Sequence, residues 1–556
     1  MSEISTPFLV DKQEYFLPQG SSLLDIAQKV YPGSIHTIVA AKMNNEIQEL
    51  NYVPECSYNI HFIDIMDEDG LLIYVRSLSF IFIRATREIL KDARVVIEHS
   101  LSKGLYCEIH WEKPITSNDI TKIEERMHEI ITADEPFIKT YVSLSEALDI
   151  FKKDGQSDKV NILPYRKFDY FNLYQCGWMY DYFYGYMVPS TGYLKTFVLH
   201  FYLPGVILLY PNGNIEEQPL RFVEQPKLAK IYNEAKKWGK ITGISNVADI
   251  NNMIMDGQGR EIVRISEALH EKKIAEIADM IFKNSGRGKI ILIAGPSSSG
   301  KTTFGHRLSI QLKVLGLHPV SISLDNYFFN REQAPLDENG KYDFEDIKAI
   351  DTVLFNEQLS KLLLNQKVEL PIFNFNTGIR EYHHNYLEIT GNQPIIVEGI
   401  HGLNEVLTEM IPKENKYKIY VSTLTQLNLD DHNRIPSTDT RLIRRIVRDY
   451  NYRSSSPSHT LAMWKSVKRG EEKNIFPYQE DADIMFNSSL SYELSILIKY
   501  ISPLLKEITN DDPHFMEAKR LLKFLDYFIP LDADDEIPPT SILREFIGNC
   551  SFYRQF

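Results

Sequence analysis

One short loop, set between a predicted strand and a predicted helix, determines the central architecture that this chain can adopt. Residues 295–303 read Gly-Pro-Ser-Ser-Ser-Gly-Lys-Thr-Thr and follow the apolar run 290–294. They meet the pattern G-x-x-x-x-G-K-[ST] without a gap. Its glycines let the backbone curl so that N–H groups point at a polyphosphate, and the helix beginning near Lys301 adds its positive end. The alternative is a Gly/Ser-rich turn that binds nothing, but the flanking strand and helix favour a phosphate-binding loop.

The side chains of this loop have predicted roles. Lys301 is expected to reach the β- and γ-phosphates of a nucleotide, and the Thr302 hydroxyl is expected to hold Mg²⁺. The sequence therefore predicts ATP and Mg²⁺ as the bound groups. The residues expected to contact the nucleotide are Gly295, Ser297, Ser298, Ser299, Gly300, Lys301, Thr302 and Thr303.

Composition narrows the class of protein. A chain of 556 residues is too long for one core and indicates about three or four domains. A net charge of −14 argues against non-specific nucleic-acid binding through a global basic field, although it leaves a local basic patch open. The four cysteines form no C-x-x-C pair, and the chain shows neither a secretory leader nor an apolar run long enough to span a membrane. These features predict a cytoplasmic protein without a membrane segment.

Hydrophobic patterns divide the chain into five predicted parts. They are a small α+β unit at 1–65, a second α+β unit at 66–235, a helical linker at 236–287, an α/β domain with a parallel sheet at 288–495, and an extension at 496–556. Strands are predicted in the α/β domain at 289–294, 319–324, 394–398 and 417–421. In the second unit, helices are predicted near 78–91, 117–132 and 144–153, and the aromatic run 180–184 is predicted to be a strand.

Two carboxylates are predicted to follow strands of the parallel sheet. Ligands of open α/β sheets bind beyond the carboxyl ends of the strands. Asp325 is placed there to accept a proton from a substrate hydroxyl; the alternative is that it only caps the next turn. Glu398 ends an apolar strand and is placed to complete the Mg²⁺ site with Thr302; the alternative is a strand-end acid facing water.

Four arginines recur at i, i+3, i+4 and i+7, which places them on one face of a predicted helix. They are Arg441, Arg444, Arg445 and Arg448. Guanidinium groups suit bidentate phosphate contacts, so this face is predicted to cover the phosphates and assist catalysis. The alternative is a solvated basic face paired with Asp439 and Asp449.

Two further features have two interpretations each. The aromatic segment 371–380 either lines an acceptor pocket or forms a hairpin whose aromatic rings lie in the core. Cys176 is either a metal ligand or nucleophile, or a structural cysteine. The scattered histidines of the second unit favour the structural interpretation.

Together these motifs resemble the uridine kinase and phosphoribulokinase family of P-loop kinases. The segments that carry the resemblance are 295–302, 325–328, 342–344, 371–380, 398–399 and 439–445. The resemblance implies that Asp325 is the base, that Glu398 belongs to the Mg²⁺ site, and that the lid arginines clamp phosphates. It also implies that an acid in the stretch around Asp343 holds a ribose. The predicted acceptor-binding residues are Asp343, Phe373, Arg380 and Tyr327.

The chain departs from that family in the segment expected to read a pyrimidine base. Uridine kinases carry Tyr-Asp-Phe followed by a Thr-His or Ser-His pair, whereas this chain has Phe-Asn-Phe-Asn-Thr-Gly-Ile-Arg at 373–380. The tyrosine hydroxyl and the histidine are both missing. The reaction class is unaffected, but uridine as the acceptor does not follow.

The first 235 residues resemble the front of threonyl-tRNA synthetases, and bacterial uridine kinase-like proteins have a similar three-part order. Residues 1–65 are similar to a TGS domain, and 66–235 to the synthetase editing domain, with Cys176 and Asp181 at signature positions. The usual histidine pair is missing near 80–84, and Tyr186 replaces another histidine. We therefore predict no aminoacyl-tRNA hydrolysis and a binding or regulatory role, toward RNA or a regulatory ligand.

The sequence predicts a multidomain α/β and α+β protein that acts as an ATP- and Mg²⁺-dependent kinase of a nucleoside or related small molecule. One alternative is an RNA-linked regulator in which the P-loop domain is a nucleotide-dependent switch. Another is a sugar-phosphate kinase of the phosphoribulokinase type. The sequence leaves open whether the chain forms a homo-oligomer.

Overall fold

The structure is a computed structural model. It describes residues 5–43, 45–54, 59–211, 220–284, 289–337, 340, 342–374, 377–390, 393–425 and 427–552. Phe375 and Asn376 of the predicted acceptor segment lie outside these residues, as does Cys56. No helix of the described ranges is long and apolar enough to cross a membrane.

The first part of the chain is a five-stranded mixed sheet with one helix. Its elements are β1 (Ser5–Val10), β2 (Gln13–Pro18), α1 (Leu23–Val30), β3 (Ile38–Met43), β4 (Glu46–Glu49) and β5 (Asn59–Asp64). The strand order is β2-β1-β5-β3-β4, and β1 and β5 run parallel. Ser22 begins α1 through a reciprocal capping box with Asp25, which satisfies N–H groups that the helix leaves unpaired. The predicted small α+β unit is confirmed.

The second part packs one long helix against two antiparallel sheets. Its elements are α2 (Glu68–Ile89), β6 (Arg94–Leu101), β7 (Gly104–His110), α3 (Ser117–Thr132), β8 (Ile138–Ser143), α4 (Leu144–Lys153), α5 (Ser157–Ile162), β9 (Tyr170–Cys176), β10 (Met179–Asp181), β11 (Val198–Tyr202) and β12 (Gly205–Leu209). The strand orders are β11-β12-β7-β6 and β10-β9-β8. α2 begins earlier than predicted, because Asp67 is its N-cap and Glu68 and Asp69 form an acidic first turn.

The aromatic run 180–184 is not one strand as predicted. β10 ends at Asp181, and the following tyrosines make contacts far along the chain. The Tyr182 hydroxyl is hydrogen-bonded to that of Tyr527, and the Tyr184 hydroxyl donates to the carbonyl oxygen of Arg520. Because Tyr182 and Tyr184 bond to these distant partners, the chain leaves the sheet after Asp181. A local sequence pattern does not show such partners.

Three helices lead to a parallel sheet with β13 at its centre. The helices are α6 (Pro226–Thr242), α7 (Val247–Met255) and α8 (Gly259–Lys283). The sheet has the order β14-β19-β13-β20-β21, with every pairing parallel, and its strands are β13 (Ile290–Ala294), β14 (Val320–Ser323), β19 (Ile395–Glu398), β20 (Lys416–Ser422) and β21 (Ile484–Asn487). The four predicted strands are confirmed, and β21 is a fifth that the sequence pattern did not predict.

The remaining elements cover this sheet and its edges. The helices are α9 (Lys301–Val314), α10 (Thr352–Leu363), α11 (Ser437–Arg453), α12 (Pro457–Asn474), α13 (Glu493–Lys506), α14 (Phe515–Leu525) and α15 (Arg544–Ile547). Two small hairpin-like pairs join β15 (Val368–Glu369) to β18 (Tyr386–Leu387) and β16 (Ile372–Asn374) to β17 (Ile379–Glu381). The C-terminal extension packs on the parallel-sheet domain, with Ile542 and Phe546 in the same apolar cluster as Phe304 of α9.

A buried ionic cluster joins the second part of the chain to the loop that precedes α11. Lys159 is fully buried, and its Nζ lies 3.1 Å from Asp181 Oδ1 and 3.0 Å from Asp430 Oδ1. His432 Nδ1 lies 2.6 Å from the other oxygen of Asp181. Burial alone lowers the pKa of an ammonium group, but the surrounding carboxylates, Asp181 first, hold the pKa of Lys159 above its ordinary value.

Lys159→Met is expected to destabilise the protein strongly. The substitution preserves volume but leaves two buried carboxylates without their cation, at a cost of about 3–5 kcal/mol. Thermal and urea unfolding measure the loss. Lys139→Met, which removes a partly exposed pair with Glu49, is the control and is expected to cost less than about 1 kcal/mol. Equal effects of the two variants would contradict a structural role for the cluster.

Candidate functional site

Two glycines of the phosphate loop lie where the surrounding atoms leave no room for a side chain. A Cβ at Gly295 would lie 1.9 Å from the carbonyl oxygen of Val421 on β20. Gly300 has φ +83°, and a Cβ there would lie 2.5 Å from the Ile542 side chain. Ser298 also adopts a positive φ, of 59°. Alternating left- and right-handed residues turn successive N–H groups toward one concave side, the geometry that binds anions.

The loop carries polar groups that the protein leaves unsatisfied. The hydroxyls of Ser298 and Ser299 are buried and have no hydrogen-bond partner among the described residues. Lys301 Nζ donates to the carbonyl oxygen of Pro296 at 3.1 Å, and burial lowers the pKa of Lys301 against the raising effect of nearby carboxylates. Each unmet buried polar group costs about 1–3 kcal/mol, which a ligand rich in acceptor oxygens would recover. These residues fit a polyphosphate.

Glu398 and Asp325 lie together at the carboxyl edge of the sheet, as predicted. Glu398 ends β19 beside Ser323 of β14. Its Oε2 accepts from Thr302 Oγ1 at 3.1 Å and its Oε1 from Ser323 Oγ at 3.4 Å. Asp325 follows β14 in a 3₁₀ turn, so each carboxylate stands at the end of its strand. Hydroxyl and carboxylate oxygens are the ligands that Mg²⁺ prefers, so the donor set fits this ion.

The electrostatics of these carboxylates reflect a crowded, dry site. Burial, with a contribution from the charge of Asp325, raises the pKa of Glu398 to about 7, and Lys301 opposes it. Burial also raises the pKa of Asp325, against the charges of Lys301, Arg453 and Arg448. No three His, Cys, Asp or Glu side chains of the described ranges form a metal cage. A cation here would therefore share its ligands with phosphate oxygens and water.

The four predicted arginines divide into two pairs. Arg441 and Arg444 are buried and hold the back of the phosphate loop. Arg441 pairs with Glu471 at 2.5 Å and lies 3.3 Å from the carbonyl oxygen of Ser297. Arg444 pairs with Glu493 at 2.7 Å and lies 3.4 Å from the carbonyl oxygen of Ser298. These two positions support the loop from behind, which the helical spacing did not reveal.

The other pair, Arg445 and Arg448, lies beside Asp449, and the charge of Arg448 also reaches Asp325. Arg445, Arg448 and also Arg453 share the single carboxylate of Asp449, at 3.2, 3.1 and 3.5 Å. The charge of Arg448 is the main cause that lowers the pKa of Arg453, followed by burial. Like charges thus crowd beside Asp325 with a surplus of positive charge, which an anionic phosphate would relieve. Arg445 also donates to the Ser297 hydroxyl at 2.8 Å.

Two of the predicted acceptor-binding residues lie in the core instead. The Tyr327 hydroxyl donates to Gln358 at 2.7 Å, and the side chain is 1% exposed. Phe373 is 8% exposed and packs on Phe328, with ring centroids 5.6 Å apart. The segment therefore forms the hairpin of the second interpretation, as far as it is described. The contact of Tyr327 and Phe373 with an acceptor stays a prediction.

The other two predicted acceptor residues hold local structure. Asp343 accepts from the backbone N–H of Glu345 at 3.0 Å. Arg380 pairs with Asp351 at 3.0 Å and lies over the ring of Phe329. Their contact with an acceptor stays a prediction.

Sequence reasoning missed Glu345, two residues beyond Asp343. Burial, together with the charges of Glu471 and Asp325, raises the pKa of Glu345 to about 7. The charges of Arg445 and Lys301 oppose this rise. Glu345 thus lies close to Lys301 and Asp325. The available signal was the alternation of the stretch 342–346, in which Asp343 and Glu345 share a side, but the pattern did not distinguish which acid points inward.

The pKa of Glu345 predicts a pH-dependent stability. Its folded pKa, about 7, lies above the ordinary 4.5, so folding favours the protonated form of Glu345. The stability that this protonation contributes is full below pH 4.5 and is lost as the pH rises through 7. Glu345→Gln mimics the protonated form. The variant is therefore expected to gain up to about 3 kcal/mol on wild type between pH 4.5 and 8. Thermal unfolding across this range measures it, with Glu332→Gln as an exposed control; parallel curves for Glu345→Gln and wild type would contradict the assignment.

The C-terminal extension supplies a carboxylate that the sequence analysis did not assign. Glu545 Oε2 accepts from the Thr303 hydroxyl at 2.7 Å and from its N–H at 3.4 Å. Gly300 precedes α9 without a capping side chain, so Glu545 satisfies the helix start from the other end of the sequence. The same N–H belongs to the predicted nucleotide-binding set.

Glu545→Gln is expected to tighten nucleotide binding. The amide keeps the shape of the contact but removes a negative charge that opposes a phosphate, an effect of about 1 kcal/mol or about five-fold in Kd. Calorimetric titration with ADP at low salt measures it. Asp532→Asn, an exposed acid of the same extension, is expected to change little. Weaker binding by Glu545→Gln would show that the carboxylate supports the nucleotide instead.

In the second part, the guanidinium group of Arg84 covers the signature cysteine Cys176. Arg84 donates to Cys176 Sγ at 3.3 Å and to both oxygens of Glu135 at 2.8 and 3.0 Å. A Cβ at Gly177 would lie 2.5 Å from the Arg84 guanidinium carbon. Burial raises the pKa of the Cys176 thiol to about 11, so it stays protonated. This arrangement favours a structural cysteine, while the absence of hydrolysis stays a prediction.

The comparisons with known proteins concern two regions of the chain. Residues 290–494 match the model of the Phosphoribulokinase / Uridine kinase family. The C-terminal region therefore carries a domain of this family. The segments that suggested the resemblance fall within the match or begin it.

The N-terminal region is similar to threonine–tRNA ligases. The enzyme of Hahella chejuensis is 31% identical over 192 residues, which is 33% of this chain and 30% of the ligase. That of Desulforamulus reducens is 30% identical over 181 residues, 32% of this chain and 28% of the ligase. The chain thus spans less than a third of the length of these curated relatives.

Solved structures of kinases match part of this chain at low similarity. One is described as a possible uridine kinase from Bacillus stearothermophilus; it is 18% identical, with a TM-score of 0.27, and covers 39% of this chain and 98% of its own. Another is D-glycerate 3-kinase from Cryptococcus neoformans, 15% identical with a TM-score of 0.22, covering 48% and 89%. At these scores neither carries a functional assignment.

Proposed function

We propose that this protein is an ATP- and Mg²⁺-dependent kinase that phosphorylates a hydroxyl of a small molecule, with nucleosides and related sugars as the acceptor class. One observation carries the proposal: unsatisfied hydroxyls of the phosphate loop, Ser298 and Ser299, lie in the loop that also carries Lys301 and Thr302, next to the half-buried carboxylates of Glu398 and Asp325. A site that only bound a nucleotide with Mg²⁺ would use Glu398 but would not need Asp325 as a second carboxylate. The family match over 290–494 supports the same reaction class.

The chain's residues divide the work of phosphoryl transfer. Lys301 and the arginines at 445, 448 and 453 neutralise charge that builds on the transferred group. Asp325 accepts the proton of the acceptor hydroxyl, since its raised pKa makes it a stronger base than an exposed carboxylate. Thr302 and Glu398 would hold Mg²⁺, which when bound with ATP supplies charge neutralisation between phosphate oxygens. Positioning and electrostatics account for the rest of the catalysis.

The acceptor site favours hydroxyl-rich molecules over a specific pyrimidine. Glu345 faces Asp325 and Lys301 and is suited to accept hydrogen bonds from sugar hydroxyls. The tyrosine and histidine that read a pyrimidine in uridine kinases are missing from 373–380. A sugar-phosphate acceptor is the second candidate, supported by the surplus positive charge around Asp449.

Substitutions in the site are expected to separate chemistry from folding. Lys301→Ala is expected to abolish turnover, and Asp325→Asn to lower kcat by about 10²–10⁴ with little change in KM for ATP. Lys313→Ala, exposed on the same helix α9, is the matched control and is expected to keep full activity. ATP consumption with Mg²⁺ is measured against nucleosides, pentoses and sugar phosphates, with thermal unfolding to verify the fold of each variant.

The outcomes of this screen distinguish the candidates. Turnover with nucleosides or pentoses supports the proposal, and turnover with sugar phosphates alone supports the second candidate. Normal turnover by folded Lys301→Ala would refute a catalytic phosphate loop. ATP binding without turnover on any acceptor would favour the RNA-linked switch, for which the likeness of the N-terminal region to threonine–tRNA ligases is the motivating observation.

A further inference from the structure

A cavity of about 300 Å³ lies apart from the phosphate loop, where three parts of the chain meet. Its walls come from β6 and β7 of the second part, from helices α6 and α8, and from the parallel-sheet domain at the end of β21, the start of α13 and the loop after β20. This volume is at the lower end of the range for small-molecule pockets, and interfaces between domains are frequent places for them. The site proposed for phosphoryl transfer uses none of its space.

The cavity combines an apolar floor with a rim of ion pairs. The apolar lining residues include Leu269, Leu424, Leu427, Phe486, Leu490 and Leu494. At the rim, Lys273 pairs with Glu234 at 2.6 Å. Two further rim cations, Arg94 and Lys236, pair with Asp431 and Glu98 respectively. Because these charges already neutralise one another, the lining favours an uncharged guest over an ion.

One polar group of the wall has an unmet hydrogen bond. His270 is 5% exposed, and its Nε2 lies 3.1 Å from the carbonyl oxygen of Ser489. A carbonyl accepts, so Nε2 carries the proton and Nδ1 is left as an acceptor. Nδ1 is buried with no partner among the described residues. Burial, with the charge of Arg307, lowers the pKa of His270 to about 3, so the ring is neutral.

Two contacts link the cavity wall to the phosphate loop. Glu493 lines the cavity and accepts from Arg444 Nε at 2.7 Å, and Arg444 reaches the Ser298 carbonyl on its other side. Phe486, also in the wall, packs on Phe304 of α9 with ring centroids 4.7 Å apart. A guest that shifts either wall residue therefore acts on the loop through one intermediate side chain.

We propose that this cavity is an effector site for an uncharged, ring-containing small molecule with an N–H or O–H donor, which hydrogen-bonds His270 Nδ1 and changes nucleotide affinity at the phosphate loop. The binding part is independent of the proposed kinase function. The coupling part rests only on nucleotide binding at the loop. A failure of either part of this proposal is therefore distinguishable from a failure of the proposed catalysis.

The binding part is tested with indole, which has one N–H donor, and 1-methylindole, which has none. Calorimetry on the full chain is expected to give one site for indole and at least five-fold weaker binding of 1-methylindole. His270→Phe is expected to remove this discrimination, and Leu269→Trp, which fills the cavity, to remove indole binding. Ile265→Trp, exposed on the same helix, is the matched control and is expected to bind indole as wild type does.

Several results would overturn the binding part. They are no indole binding at millimolar concentration, equal binding of the two probes by wild type, or indole binding retained by folded Leu269→Trp. If His270→Phe does not fold, as judged by thermal unfolding, the comparison of the two probes on wild type decides alone.

The coupling part is tested by the Kd of ADP with and without saturating indole. At least a three-fold change is expected, and by reciprocity ADP must change the affinity for indole by the same factor. The change is expected to vanish in Leu269→Trp and to persist in Ile265→Trp. Indole binding without any change in the Kd of ADP would refute the effector role while leaving the site itself.

Discussion

The buried pair between Arg444 and Glu493 is the contact on which the phosphate loop depends. Neither side chain is exposed by more than 2%, and the guanidinium also donates to Thr423 and to the Ser488 carbonyl, both at 2.8 Å. One side chain thus fixes the ends of β20 and β21, the start of α13 and the back of the loop. A buried charge that loses its partner is costly, so the four elements keep a common position. The front of the loop remains available for phosphate because its support comes from behind.

The positive charge of helix α11 is consequently used for two purposes. Its inward arginines determine the structure of the loop, whereas Arg445, Arg448 and Arg453 crowd around Asp449 and project a field over the carboxylates. Like charges held this close store electrostatic energy that a bound phosphate releases. The spacing i, i+3, i+4, i+7 predicted a cationic helix face but did not separate these purposes. The separation depends on two acids, Glu471 and Glu493, that lie 30 and 49 residues along the chain from their arginine partners.

Local patterns were sufficient where a residue's partner is the backbone beside it. The phosphate loop and the strands that end at Glu398 and before Asp325 are of this kind, and the structure places them as expected. Tyr327 shows the limit, because its partner Gln358 becomes a neighbour only after α10 folds onto the sheet. Asp181 is similar: it stands at a signature position of the editing-like domain, but its partners Lys159 and His432 become its neighbours only in the folded chain. Such pairings depend on tertiary contacts that no periodicity records.

The contact of Ile542 and Glu545 with the loop has a consequence for how the protein is made. A ribosome completes Gly300 about 240 residues before Ile542, and at about 5–20 residues per second this is a delay of tens of seconds at the slower rate. During that interval the strand, loop and helix exist without the side chains that close over them. Until then the N-terminus of α9 in the nascent domain lacks the carboxylate of Glu545. Its positive end favours anions such as the phosphates of a nucleotide.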